Sequence, residues 1–297
     1  MTGWLVTGGA GMLGRDMTSV LLAAGAQVTA LRRDELDITS QDAVLTAVRR
    51  LRPQVVVNCA AWTAVDDAES HEAAAMAVNG GGAANLAAAC AAVGARLVQV
   101  STDYVFGGTA ARPYAEYQAT GPRSAYGRTK LAGEQAVLSR LPEAGYVVRT
   151  AWLYGAHGRS FVGTMIRLAG QQDRVRVVDD QAGQPTWTAD VARQILLLLR
   201  SGAEPGIYHA TSTGQTTWHG LASEVFRLLG TDPGRVEAIA SGDLVRPAPR
   251  PAYSVLGHDR WQAAGLPAPP PWRESLAQAF PAITAVAARA AGPPAGR

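Results

Sequence analysis

The sequence is short of lysine. Lys130 is the only one among 27 basic Lys and Arg residues; the other 26 are arginines. A chain that uses arginine wherever a generic cation serves marks position 130 as one where a planar guanidinium cannot replace a compact ammonium. Cysteine is almost as scarce. Cys59 and Cys90 both lie in apolar surroundings, which excludes a disulfide scaffold and suits buried thiols in a reducing compartment. Charged residues make up 17% of the chain, and the formal net charge is +3. Basic and acidic positions interleave with no basic stripe, so no nucleic-acid partner is expected. Nothing in the sequence reads as an unbroken apolar stretch of membrane-spanning length; the longest candidate, Ile195 to Leu199, is closed by Arg200. The first residues run into Gly8 and Gly9 without the basic start and apolar core of a secretion signal, and a cytoplasmic protein is expected, with no membrane partner.

What is present is enough for one large α/β domain or two packed lobes: 297 residues, 47% of them hydrophobic. Short β-branched runs alternate with Ala/Leu-rich stretches of helical period, the pattern of βαβ units and a mainly parallel sheet. Strands are predicted near Trp4–Thr7, Gln27–Leu31, Val55–Asn58, Leu97–Ser101, Tyr146–Arg149, Arg176–Val178 and Ile207–Ala210. Helices are predicted over Met12–Ala24, Gln41–Arg50, Asn85–Val93, Tyr126–Leu141, Phe161–Gln171, Thr188–Arg200 and Trp218–Leu229. After Ala151 the alternation loosens and prolines multiply. The expected architecture is a Rossmann-type doubly wound parallel sheet over residues 1–150, receiving segments around 187–215. A smaller α/β substrate lobe over 151–285 and a frayed tail over 286–297 complete it.

The first predicted strand runs into Gly8, Gly9, Ala10, Gly11, Met12, Leu13 and Gly14 and then a helix. Glycines at 8, 11 and 14 leave the turn without Cβ atoms and let backbone approach a pyrophosphate, while the helix start presents free N–H groups to it. A glycine turn in any βαβ unit is the plainer reading, but the strand before and helix after are the context a dinucleotide fingerprint requires. The second strand ends in Leu31, followed by Arg32 and Arg33 in place of the acidic residue that holds the ribose hydroxyls of NAD. NADPH is therefore the expected cofactor, and NADH would need Asp34 to turn inward. Asp37 and Ile38 follow in a loop where an adenine could lie.

Ser101–Phe106 (STDYVF) and Tyr126–Lys130 (YGRTK) carry the chemistry. Tyr126 and Lys130 are four apart and share a helix face. An ammonium about 4 Å from a phenol, at an effective dielectric of about 20, stabilises the phenolate by roughly 4 kcal/mol. On that reading Lys130 tunes Tyr126 for proton transfer, and Thr102, at the end of a parallel strand, offers a hydroxyl to a substrate oxygen.

With those motifs the sequence resembles the extended short-chain dehydrogenase/reductases, and within them the dTDP-4-dehydrorhamnose reductases, from Trp4 to about Phe280. The resemblance also rests on NCAAWTAVDDAE at Asn58–Glu69, Asn79, YGRTKLAGE at Tyr126–Glu134, VRTAWLYG at Val148–Gly155, DQAGQPT at Asp180–Thr186, and Arg250-Pro251. It implies a catalytic trio of Thr102, Tyr126 and Lys130. It also implies a cofactor groove that includes Ala60, Ala61, Thr63 and Asn79, with Asp103, Tyr104 and Trp152 facing a sugar and Gln184 and Arg250 toward its nucleotide. The substrate implied is a dTDP-linked 4-keto-6-deoxy sugar, reduced by NADPH. Reduction of another nucleotide-linked 4-keto sugar, such as a streptose precursor, is an alternative, as is a non-catalytic cofactor-binding regulatory subunit. Related sugar-nucleotide dehydratases look like Ser-Thr-Asp-Glu where this chain has Ser101-Thr102-Asp103-Tyr104, and without that glutamate elimination of water lacks its base.

Some members dimerise through magnesium held by glutamates. This sequence has Asp16 after the glycine turn and later acidic positions that align poorly, a departure from that site, and a homodimer stays open. The five histidines show no metal-ligand spacing. Trp152 and Tyr154 are placed beside the substrate, whereas Trp187, Trp218 and Trp261 are assigned to packing. Gly80, Gly81 and Gly82 interrupt a helical stretch at a cost of roughly 3 kcal/mol in propensity, and a broken helix start is expected there.

Overall fold

The computed structural model describes residues 3–290. Five strands alternate with helices through the first lobe: β1 (Gly3–Thr7), β2 (Gln27–Leu31), β3 (Val55–Asn58), β4 (Arg96–Thr102) and β5 (Gly145–Thr150). The helices are α1 (Met12–Ala23), α2 (Gln41–Leu51), α3 (Val65–Ala68), α4 (Glu72–Met76), α5 (Gly82–Val93) and α6 (Ala125–Arg140). Strands β3 and β5 are buried along their whole length, which is why they read as continuous apolar runs.

The second lobe adds β6 (Leu153–Tyr154), α7 (Phe161–Ala169), β7 (Val175–Val178), β8 (Ala182–Gly183), β9 (Thr186–Trp187) and α8 (Thr188–Arg200). It continues with β10 (Gly206–His209), β11 (Thr216–Thr217), α9 (Trp218–Leu228), β12 (Val236–Ile239), α10 (Asp259–Ala263) and α11 (Trp272–Ala290). The chain then returns to the first lobe. Strand β10 pairs in parallel with β5, completing a six-stranded sheet of order β10-β5-β4-β3-β1-β2. Helix α8 packs Val191, Ile195 and Leu198 into the same core as Leu13, Met17 and Leu21 of α1. The rest of the second lobe has its own core, built from Val162, Met165, Leu221, Phe226, Leu276 and Phe280 among others. The sheet order reverses between β1 and its neighbours β2 and β3, and at such a switch point the strand ends leave a crevice for a ligand.

Two expectations change. The glycine run does not break a helix: Ala77–Gly81 forms a π-turn that joins α4 to α5. A Cβ on Gly82 would lie 2.5 Å from Ile38 Cδ1, and one on Gly80 would lie 3.3 Å from Ala132 Cβ on α6. The glycines therefore admit close helix packing. The resulting helical run, Glu72–Val93, is 22 residues long and contains an 18-residue window of mean hydropathy 1.3, enough by those two measures to cross a membrane. Its apolar residues are small and interspersed, so it forms no unbroken apolar stretch in the sequence; Leu86, Ala87 and Cys90 bury their side of it in the first-lobe core. The tail expected over 286–297 is helical to Ala290, and residues 291–297 lie outside the described residues.

Candidate active site

The turn after β1 is built for close backbone approach. Gly8 has φ +68°, and a Cβ there would sit 2.6 Å from the Ala60 amide nitrogen beyond β3. A Cβ on Gly14 would collide with the Gly8 carbonyl. Helix α1 starts at Gly11 without a capping side chain and without an acidic residue in its first turn, so its first amides and its positive dipole end are left for an anion. Gly11, Met12 and Leu13 line the cavity there. These residues fit the pyrophosphate of a dinucleotide.

A side groove of about 250 Å³ continues from the turn between Gly8, Arg32, Arg33, Asp37, Ile38, Ala60 and Ala61. Asp34 does not turn into it: its carboxylate pairs with Arg32 at 3.0 Å. Glu35 also meets Arg32, at 3.4 Å, and Arg33, the second arginine after β2, lines the groove beside it. The N–H and hydroxyl of Thr39, with Arg33 nearby, hold the Asp37 carboxyl below its usual range. Thr63 lines the main cavity. Asn79 does not line either space. Its amide donates to the Trp62 carbonyl and the Thr129 hydroxyl and accepts from the Trp62 N–H, so it positions the loop that carries Ala60, Ala61 and Thr63.

The main cavity, about 690 Å³, is shared by Thr102, Asp103, Tyr104, Tyr126, Lys130 and Trp152. Thr102 arrives on the last residue of β4. Ser124 caps α6 by accepting from the Gly127 N–H at 3.1 Å, which sets Tyr126 in the first turn and Lys130 one turn later. Lys130 is 3% exposed, and its Nζ donates to the Val100 carbonyl at 2.6 Å. Burial lowers it to about 8, against the opposing charge of Glu134. Burial pushes the Tyr126 phenol up from its ordinary value, with the nearby Thr102 hydroxyl pulling the other way. The Lys130 ammonium thus gives one of its three donors to a backbone carbonyl, and burial is the largest influence on the phenol. The Thr102 hydroxyl donates to Asp103 at 2.8 Å. Asp103 is raised to about 6 by burial, and its Oδ2 is buried without a hydrogen-bond partner among the described residues. Tyr104 meets the Tyr126 ring edge-on, centroids 5.6 Å apart.

At the far end Trp152 takes a left-handed backbone, φ +47°, and Gly183 leaves it room. Trp218 opens α9, whose cap Thr217 accepts from the Gly220 N–H at 3.0 Å, and its ring lies in the cavity wall. Its assignment to packing is corrected; no local periodicity in the sequence distinguishes it from Trp261, which is 1% exposed and donates to the His209 carbonyl. Trp187 lies under the Arg193 guanidinium. Gln184 does not reach the cavity. It is 2% exposed, its NH₂ donates to the Ser212 and Leu256 carbonyls, and its oxygen accepts from the Thr211 hydroxyl and the Leu256 N–H, leaving no amide atom for a ligand. Arg250 pairs with Asp66 at 2.8 Å and borders a small pocket behind Tyr104 with Arg123 and Pro249. Asp16 accepts from the Thr188 hydroxyl, and among the described residues no three metal-ligating side chains gather.

A six-stranded parallel sheet with a glycine cradle at its switch point, and with Thr102, Tyr126 and Lys130 in the cavity beside it, defines a Rossmann-type dinucleotide-binding protein of the extended short-chain dehydrogenase/reductase kind. The cradle and the trio lie in one continuous space. The chain belongs to the family whose model, RmlD substrate binding domain, matches residues 1–285. It is 60% identical to a dTDP-4-dehydrorhamnose reductase of Streptomyces griseus, over 96% of this chain and 95% of that one. A dTDP-4-keto-6-deoxy-D-glucose reductase of Streptomyces niveus is 55% identical over 95% of this chain and 98% of its own. Among solved structures, the dTDP-4-dehydrorhamnose reductase of Bacillus anthracis in complex with NADP superposes with a TM-score of 0.91 at 36% identity, covering 94% of this chain and 99% of that one.

Proposed function

We propose that this protein reduces the C4 carbonyl of dTDP-4-dehydro-6-deoxy-L-mannose with NADPH, giving dTDP-L-rhamnose. The observation that carries this reading is the single cavity in which Thr102, Tyr126 and Lys130 meet the end of the glycine cradle. The relative from Streptomyces griseus and the NADP complex of the Bacillus anthracis reductase support the substrate and the cofactor.

When bound, NADPH supplies the hydride. Gly8, Gly11, Met12 and Leu13 would hold its pyrophosphate, and Arg32, Arg33, Asp37, Ile38, Ala60 and Ala61 the adenosine end. Thr63 would border the nicotinamide half, and Lys130 would hold ribose hydroxyls. Because burial keeps the Tyr126 phenol protonated, it stands in the acid form that a reduction needs, and it donates its proton to the carbonyl oxygen as that oxygen gains charge. Thr102 steadies the same oxygen, exchanging its hydrogen bond to Asp103 for one to the substrate. Asp103 and Tyr104 bound the space for the sugar, Trp152 gives it an aromatic wall, and Arg250 borders the pocket behind Tyr104. Tyr104 in place of a glutamate leaves no base for elimination, which favours plain carbonyl reduction.

The similarity to the Streptomyces niveus protein favours a second reading, in which the substrate is another dTDP-linked 4-keto-6-deoxy sugar. A panel of nucleotide-linked 4-keto sugars, each followed by NADPH oxidation, separates the two. Consumption with the rhamnose precursor alone supports the first, consumption with a different keto sugar the second, and consumption with none would return the chain to a cofactor-binding role.

A further inference from the structure

We infer that Glu134 is a positioning residue of the reducing site, clamping the helix that carries Tyr126 and Lys130 to the two strands that carry Thr102 and Thr150. The inference rests on the reaction proposed above and assigns a role to side chains that the reaction itself does not touch.

Glu134 lies one helical turn beyond Lys130 and two beyond Tyr126, on the same face of α6. It is 1% exposed and Arg149 is 2% exposed. Its Oε1 accepts from Ser101 Oγ at 2.5 Å and from Arg149 Nε at 2.9 Å, and its Oε2 accepts from Arg149 Nη2 at 2.7 Å. Ser101 directly precedes Thr102 on β4, and Arg149 directly precedes Thr150 on β5. The guanidinium is held in turn by the Glu116 carbonyl at 3.4 Å and lies 4.9 Å from the centre of the Phe106 ring.

Packing alone does not require this arrangement. Apolar side chains of similar volume would hold a helix on a sheet as well or better, since burying two charges costs desolvation that their attraction only partly returns. What a bidentate fork adds is direction: two parallel N–H bonds and one O–H bond fix how α6 is rotated about its axis and how far it slides along the strands. Those two coordinates decide where the phenol and ammonium stand relative to Thr102. The clamp also sets a carboxylate near the Lys130 ammonium. The groups around that ammonium are Cys59 beyond β3 and Glu134 on its own helix. Asp103, Tyr104 and Tyr126 share the cavity wall with it, and Arg149 of β5 stands behind Glu134.

The test compares Glu134→Gln, Glu134→Asp, Ser101→Ala and Tyr126→Phe in NADPH oxidation with the keto sugar across pH, with circular dichroism and thermal melts on each. In folded Glu134→Gln, kcat should fall about 10- to 100-fold with both KM values little changed, as expected for a misplacement on the order of 1 Å. Its alkaline limb should move to lower pH, because a negative charge beside the ammonium is gone. Glu134→Asp should return the limb toward its original position. A folded Glu134→Gln with the original kcat and the original limb would overturn the inference, as would a loss confined to KM. If Glu134→Gln does not fold, Ser101→Ala decides: kcat several-fold lower supports the clamp, and unchanged kcat overturns it. Tyr126→Phe separates the two levels. Should it keep full turnover, the proposed reaction fails; should it lose turnover while Glu134→Gln behaves like the original protein, only the clamp fails.

Discussion

Trp152 and Trp218 stack face to face in the wall of the cavity, ring centroids 3.5 Å apart and planes 7° from parallel. The two residues come from different segments of the second lobe, and Phe161 leans on the outer ring, 4.7 Å away. Trp152 keeps a backbone conformation that bulky residues rarely adopt, and the stack is one of the contacts that offset that strain. Removing the partner ring in Trp218→Ala should leave Trp152 free to leave its place. A stacked pair of this kind is worth about 0.5–1.5 kcal/mol, so KM for the keto sugar should rise roughly 2- to 10-fold with a small change in kcat. Steady-state kinetics check it, and an unchanged KM would make the stack mere packing.

The glycine cradle gives a sharper expectation. In Gly14→Ala the new methyl group collides with the Gly8 carbonyl, which can move only if α1 shifts away from β1. The uncapped amides at Gly11–Leu13 shift with it. Affinity for NADPH, measured by fluorescence titration, should weaken by on the order of tenfold or more, with the sheet intact by circular dichroism. Unaltered affinity would place the pyrophosphate elsewhere.

Much of this was legible in the sequence because the signals are local. A strand, a glycine turn and a helix follow one another within a dozen residues, and Tyr126 and Lys130 need only one helical turn to share a face. Contacts between distant segments left no such trace. Nothing near Trp218 announces Trp152, and Glu134 reads as an ordinary helical acid until Arg149 and Ser101 close on it. The same blindness misplaced Gln184 and Asn79, whose polar side chains looked available and are fully occupied by the surrounding backbone and hydroxyls. Nor does spacing along a helix, which says which face Lys130 is on, reveal that its ammonium meets the Val100 carbonyl.

The pH dependence follows from Lys130. Its ammonium is lowered to about 8 from the ordinary 10.5 because burial disfavours the charged form. Turnover that needs the ammonium should therefore decline as pH rises through about 8. The stability contribution runs the other way: between about 8 and 10.5 the unfolded chain binds a proton that the folded chain does not, so this group's contribution rises with pH. A profile of kcat from NADPH oxidation should show the limb; activity holding steady to pH 10 would contradict it.

Packing of α5 and α6 can be tested through stability alone. A methyl group at Gly133 meets the Asn79 carbonyl, part of a fixed π-turn, whereas one at Gly82 meets the end of the Ile38 side chain, which can swing aside. Overpacking against backbone costs about 1–3 kcal/mol, so Gly133→Ala should unfold at lower denaturant than Gly82→Ala. Equal midpoints would mean that the helices adjust freely.

The most direct measurement is the turnover of Tyr126→Phe with the keto sugar and NADPH. That substitution removes one hydroxyl oxygen and leaves the ring, Lys130 and the glycine cradle in place. Turnover about 10²- to 10⁴-fold lower, with NADPH still bound as tightly, is the expected result. Turnover equal to that of the unaltered protein would contradict the assignment of Tyr126 as the proton donor.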